Sequence, residues 1–325
     1  MHYESIYSRS KQIEMDMPVA YLILAHTDPR QCQRLVKSLL EDPSAQIFLH
    51  VDLKSRNDFS SVLQLDAQRV HMVKERWKVY WAGFNMVRAT LSAMQQAINH
   101  SQFGYFVLLS GQDYPIKHAA EIRSYFYNQQ FRQHINRINI LDSTEHYLKS
   151  ATHYYFRDGW LPWAKLDKVV RKLATIAAHP IRRKLLPGMP CTGSSWWALT
   201  SECVRYILDF VELHPEYERF YRYVYAPDED FFHTIIQNSR FFEEAPPVLP
   251  YTGRGMWKTA NFHIVHPSLK KIYTENDYEE VVQSDRCFVR KVTSAESSVL
   301  MDKIDTGLGR SMYTLPDTQG AHMPC

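Results

Sequence analysis

The sequence predicts an α/β fold in which a mostly parallel central sheet is flanked by helices, followed by an α-rich, irregular second half. Three observations carry that prediction. Apolar runs of strand length, without polar alternation, recur over residues 19–116. Segments with helical spacing separate them, as in a parallel sheet covered on both faces. The principal runs each end in polar residues, which such a sheet gathers along the edge where open α/β sheets bind ligands.

Taken in order, "VAYLILAH" (19–26) reads as the first buried strand, and "QCQRLVKSLLED" (31–42) follows it with Cys32, Leu35, Val36, Leu39 and Leu40 at helical spacing. "AQIFLHVD" (45–52) is the second strand and "RVHMVK" (69–74) the third. "FNMVRATLSAMQQAINHS" (84–101) is an amphipathic helix, and "YFVLLSGQDYPI" (105–116) a strand that ends in a loop. The polar residues at the strand ends are His26 and Thr27, His50 and Asp52, and Ser110, Gln112 and Asp113. Neither G-x-G-x-x-G nor G-x-x-x-x-G-K-[ST] is present, which argues against a dinucleotide dehydrogenase or a P-loop enzyme.

From about residue 151 the pattern turns aromatic. "HYYFRDGWLPW" leads into "AKLDKVVRKLATIAAHPIRRKLLPGMP", an apolar and basic stretch. Two readings stand open for residues 165–189: peripheral contact with an anionic membrane, or a solvated helix whose apolar side packs on the core. "GSSWWALTSECVRYILDFVEL" (193–213) reads as a strand running into a helix. The segment "YAPDEDFFHTIIQNS" (225–239) places three acids behind a proline that fits the first turn of a helix.

Composition bounds the function. With 325 residues, 45% of them apolar, the chain buries a sizeable core, and a formal charge of +3 gives no indication of nucleic acid. Five cysteines, odd in number and without a C-x-x-C pair, suggest neither a disulfide framework nor a zinc site and fit a reducing compartment. The opening "MHYESIYSRSKQIEMDMP" has no apolar signal region, and no run approaches the ~18 to 20 apolar residues of a spanning helix.

The pieces "AYLILAH", "FLHVD", "VYWAGFNMVRATL", "YFVLLSGQDYPIK", "GSSWWALT", "APDEDFFHTIIQNS" and "CFVRK", in this order between residues 19 and 293, resemble the core-2/I-branching enzymes of glycosyltransferase family 14. That family includes β-1,6-N-acetylglucosaminyltransferases and protein xylosyltransferases. "PDEDFFHT" and "YWAGF" look closer to its xylosyltransferase-like and bacterial side. The resemblance implies a GT-A-like fold, a UDP-sugar donor, a glycan or lipid-linked glycan acceptor and inversion at the anomeric carbon. It also implies independence from a divalent metal, hence no cofactor, with basic side chains stabilising the leaving diphosphate. The expected organisation is a polar leader (1–17), one domain (18–304) whose nucleotide-binding half is 18–150 and whose acceptor and catalytic half is 151–304, and a flexible tail (305–325). The absence of an N-terminal anchor fits a cytoplasmic enzyme, at most peripheral at the inner face of a bacterial membrane.

Site residues follow from the same resemblance. Inverting transfer needs one carboxylate to take the acceptor's proton, and the family's base falls on Glu229, while Asp228 and Asp230 are read as complementing a helix start. A metal set of Asp228, Asp230 and His233 is disfavoured, because consecutive helical positions diverge by ~100°. For the nucleotide, the family positions are Leu24, Asp52 and Trp81; the alternatives are an Asp that caps the turn after it and a core tryptophan. The diphosphate falls to Lys291 and Arg290, with Lys270 or Lys271 substituting for an upstream basic residue. Ser110, Gln112, Asp113, Ser194, Trp196 and Trp257 are candidates for donor sugar or acceptor. Two other classes compete: a catalytically silent sugar- or nucleotide-binding protein, and a glycoside hydrolase using Asp113 and Glu229 as opposed carboxylates.

Overall fold

The computed structural model describes residues 17–143 and 146–310. The leader is described only at Met17, and the tail beyond Arg310 lies outside the described residues. The chain runs β1 (Val19–Ala25), α1 (Pro29–Leu39), β2 (Gln46–Val51), β3 (Val70–Met72), α2 (Asn85–His100), β4 (Tyr105–Ser110), β5 (Asp113–Pro115) and α3 (Ala119–Asn128). There follow β6 (Ile138–Asn139), α4 (Ala164–Ala178), β7 (Cys191–Thr192), β8 (Ala198–Thr200), α5 (Ser201–Leu213) and α6 (Phe231–Gln237). β9 (His263–Val265), β10 (Phe288–Arg290) and α7 (Ser298–Gly307) complete it, with shorter turns of helix between.

The central sheet has the order β3-β2-β1-β4-β8. Its first four strands are parallel and β8 closes the edge antiparallel to β4. This is the mixed α/β architecture expected from the sequence, a mostly parallel central sheet flanked by helices, with its parallel strands in the 3-2-1-4 order found in doubly wound sheets. The unbroken apolar runs have a simple cause. Ala20, Leu22, Phe48, Phe106 and Leu108 face a core completed by Val87 and Met94 of α2 and by Ile207 of α5. Tyr21, Ile23, Ile47, Leu49, Val107 and Leu109 face the opposite core, closed by Leu35, Val36 and Leu39 of α1. With both faces covered, the interiors of β1, β2 and β4 are left to apolar side chains, and polar ones such as Gln46, His50 and Ser110 stand at or near the strand ends.

A second sheet, β5-β10-β9, lies beyond the end of β4. The stretch 105–116, expected to be one strand ending in a loop, is instead two strands, β4 and β5. In the structure Asp113 to Pro115 pair antiparallel with Phe288 to Arg290, and β10 pairs in parallel with β9. This small sheet brings the basic C-terminal segment to the carboxyl edge of the large one.

The boundary at residue 305 needs correction. α7 continues to Gly307, and Arg310 is buried: its guanidinium meets Glu41 at 3.0 Å and Asp305 at 3.4 Å, and donates to the carbonyls of Pro115 and Lys117. The packed chain therefore reaches at least Arg310. Removing one member of a buried charge cluster leaves its partners unpaired, so Arg310→Ala is expected to cost about 3 kcal/mol. A denaturant melt in which this variant unfolds with the wild type would contradict that packing.

Candidate active site

The site begins where three strands stop together. The parallel register sets Leu24 of β1 beside His50 of β2 and Ser110 of β4, so their side chains share one edge. That edge opens into a cavity of about 950 Å³. Leu24, Asp52, Trp81, Ser110, Gln112, Ser194, Trp196, Glu229, Trp257, Lys271, Arg290 and Lys291 all line it. Among the proposed site residues Asp113 alone does not.

Asp52 does two things at once. Its Oδ1 accepts from the Lys54 backbone N–H at 2.8 Å, which is the turn-capping role weighed in the sequence, and the same carboxylate forms part of the cavity wall. His50 is buried and its Nε2 accepts from the Trp77 N–H at 3.0 Å; burial lowers its pKa to about 4, so the ring is neutral. Trp81 is no core residue: it is 75% exposed, edge-on to Tyr225, with the Arg157 guanidinium 5.1 Å from its ring. A flat indole is thus presented at the cavity rim.

The three acids are not equivalent, and none of them is a solvated helix start. Pro227–Glu229 form a 3₁₀ turn ahead of α6, entered through Ala226 in a left-handed conformation. Asp228 is buried and its Oδ2 accepts from Ser195 Oγ at 2.7 Å. Asp230 is buried at the start of α6 and does not reach the cavity. Glu229 projects into it, and among the described residues no side chain donates to its carboxylate. Burial pushes the Glu229 pKa well above its ordinary value, and the neighbouring Asp228 and Asp230 add to the effect. The turn is pinned from below by Gly193, whose N–H donates to the Glu229 carbonyl at 2.8 Å. A side chain at Gly193 would come within 2.2 Å of the Asn136 carbonyl and 2.6 Å of the His233 ring, so only glycine fits. His233 itself is fully buried behind that glycine, with burial lowering its pKa to about 3.

The same cavity is lined by cations. Arg290 lies 4.3 Å above the Trp196 ring and ion-pairs with Asp113 at 2.7 Å. Asp113 had been a candidate for sugar binding and for a hydrolase's second carboxylate. It is fully buried, and its oxygens are taken by Arg290, by His263 Nε2 at 3.1 Å and by the Ser110 N–H at 2.8 Å. Its place is behind the wall, orienting Arg290. Lys291 is half-buried and lines the cavity; burial, with Arg290 adding, lowers its pKa from the ordinary value. Lys271 lines it too, while ion-paired with Asp277 at 2.6 Å. Arg286 turns away to the carbonyl of Asn261.

Residues 19–246 match the family described as "Core-2/I-Branching enzyme", which is 70% of the chain. The chain belongs to the core-2/I-branching enzyme family. Similar proteins include xylosyltransferase 2 of Canis lupus familiaris, 25% identical over 68% of this chain and 24% of that protein. Xylosyltransferase 1 of Rattus norvegicus is 25% identical over 68% of this chain and 26% of its own length, and xylosyltransferase 2 of Homo sapiens 25% identical over 70% and 26%. The chain thus spans about a quarter of these relatives. A Bacillus anthracis protein assigned as a glucose-1-phosphate thymidylyltransferase and solved with sucrose covers 58% of this chain and 74% of its own, at 10% identity and a TM-score of 0.30.

Sequence reasoning missed several members of this core-2/I-branching cavity. Tyr147, Tyr225, Lys54 and Arg254 line it. Ser195, inside the expected "GSSWWALT" stretch, lines it too, and what the sequence does not show is its contact with Asp228, which spans 33 residues. Arg254 stands in "GRG", where Gly253 and Gly255 adopt φ of 97° and 134°, a signal that glycine spacing alone does give.

The raised Glu229 pKa has a consequence for stability. The folded state holds this proton more tightly than the unfolded chain, so stability falls as pH rises from the ordinary 4.5 through the folded value. At pH 7 Glu229→Gln is therefore expected to unfold later than wild type, with the gap closing toward pH 4. Equal or lower stability of the variant at pH 7, measured by thermal melts across this range, would contradict a raised proton affinity at Glu229.

Proposed function

We propose that the chain is an inverting glycosyltransferase that moves a sugar, GlcNAc or xylose, from a UDP-sugar to a hydroxyl of a glycan or lipid-linked glycan acceptor, in surface polysaccharide or glycolipid synthesis. One observation carries this reading: an unpaired carboxylate of raised proton affinity and two fixed cations line one cavity at the carboxyl edge of the sheet. Family membership supports the same chemistry.

In this reading uracil lies among Leu24, Asp52 and the Trp81 indole, where stacking contributes ~1 to 3 kcal/mol. The diphosphate meets Arg290 and Lys291, with Lys271 beside them. The acceptor hydroxyl enters between Trp257, Ser194 and Trp196, near Glu229. Its oxygen forms a bond to the anomeric carbon from the face opposite the diphosphate. The acceptor's proton passes to Glu229, and the anomeric C–O bond breaks with its electron pair leaving on UDP. A base whose pKa is raised toward the working pH suits proton removal from a hydroxyl. Arg290 and Lys291 meet the charge that develops on the departing β-phosphate, the task a divalent ion performs in other enzymes, so the reaction is proposed to need no metal.

The test is a screen of UDP-sugars for hydrolysis or transfer by the purified protein, with and without chelator. Glu229→Gln is expected to lose on the order of 10²-fold or more in kcat with little change in KM for the donor. Turnover by this variant at the wild-type rate would remove Glu229 as base. Activity lost in chelator and restored by manganese would remove the metal-free reading.

A further inference from the structure

α4 is turned the unexpected way round. The face it packs on the protein is polar: Asp167 is buried and accepts from the backbone N–H of Trp160 at 2.7 Å and of Leu161 at 2.9 Å. Arg171 pairs with Asp167 at 2.8 Å and donates to the carbonyls of Phe156 and Arg157, and Thr175 Oγ1 accepts from the Phe156 N–H at 3.2 Å. The apolar stripe points outward. Leu166, Val169, Leu173 and Ile176 share one side of the helix and are 49%, 54%, 60% and 59% exposed, and Trp163 at its start is 67% exposed. Folding against its own core does not account for this stripe.

The surrounding charge says what covers it. Residues 160–189 carry seven Lys and Arg and a single acid, Asp167, in a chain whose total formal charge is +3. Asp167 is neutralised by Arg171 inside the packed face. Lys165, Lys168 and Lys172 flank the apolar stripe, and Arg182 and Lys184 follow the helix, all exposed. Among the described residues no helix is long and apolar enough to cross a membrane. An exposed apolar stripe bordered by basic side chains matches a surface that is apolar inside and anionic at its skin.

We propose that α4 and the segment after it form a docking surface for an anionic lipid bilayer, lying in the plane of the headgroups with Leu166, Val169, Leu173 and Ile176 inserted. The placement relative to the catalytic cavity fits this role. A smaller cavity of about 350 Å³, walled by Tyr80, Trp81, Arg157 and the Lys168–Lys172 side of α4, adjoins the large one through Trp81, which lines both. The bilayer would then lie beside the Trp81 rim of the large cavity. This inference does not depend on the proposed reaction, and its test reads binding alone.

The full chain is sedimented with vesicles of phosphatidylcholine and with vesicles of phosphatidylcholine containing phosphatidylglycerol, at low and high salt. It is expected to bind the anionic vesicles, to ignore the neutral ones, and to be released by salt. Leu166→Glu with Leu173→Glu is expected to reduce binding by about tenfold or more, and Lys165→Glu with Lys172→Glu to weaken binding to the anionic vesicles by about tenfold or more. These side chains are exposed, so unchanged thermal melts certify the variants. A wild-type protein that stays in the supernatant with anionic vesicles overturns the proposal. So does a dimer, measured by light scattering, that Leu173→Glu converts to monomer, since a second copy would then cover the stripe.

Discussion

Asp113 is buried at the point where the two sheets meet, and it is bound on three sides. Burial alone would raise its pKa; Arg290, His263 and the Ser110 N–H outweigh that and hold it below the usual carboxylate range. A charge so placed costs several kcal/mol when a partner is lost. The end of β4, the short β5, and strands β9 and β10 are therefore locked in one arrangement. Ser110 and Gln112 stay on the carboxyl edge of the large sheet, and Arg290 stays over Trp196 in the wall of the cavity. Everything assigned to phosphate recognition rests on this junction.

The opposite wall obeys a different economy. The turn that carries Glu229 is narrow, passes through a left-handed alanine, and presses on a glycine that nothing larger can replace. Asp230 is turned inward, Asp228 is tied to Ser195, and among the described residues no side chain donates to Glu229. Such a concentration of buried carboxyls is costly for folding and useful for chemistry, since each raises the proton affinity of the next. Positive charge and proton acceptor are thus held on separate rigid elements facing one cavity, which is what in-line displacement of a diphosphate requires.

Much of this was legible in the sequence, for physical reasons. Strands covered on both faces must be apolar throughout, so β1, β2 and β4 announce themselves, and the register that aligns Leu24, His50 and Ser110 follows from their parallel pairing. What failed to show depends on contacts between distant residues. The partner of Asp113 is 177 positions away, so its burial looked like a polar loop. Asp228 and Asp230 seemed solvated because an acid run normally is; Ser195 and the packing of α6 make them otherwise. α4 is the clearest case. Periodicity states which side chains share a face, and here the paired Asp167 and Arg171 give the polar face a place to dock, so the apolar one faces outward.

Lys291 and Arg290 are the proposed counter-charge of the diphosphate. The most direct test compares binding of UDP and of uridine, by calorimetry, to wild type and to Lys291→Ala, which leaves the Arg290–Asp113 pair in place. The prediction is a loss of UDP affinity of about tenfold or more while uridine binds as before. An equal loss for both ligands would mean that Lys291 merely holds the fold, and an unchanged UDP affinity would place the phosphates elsewhere.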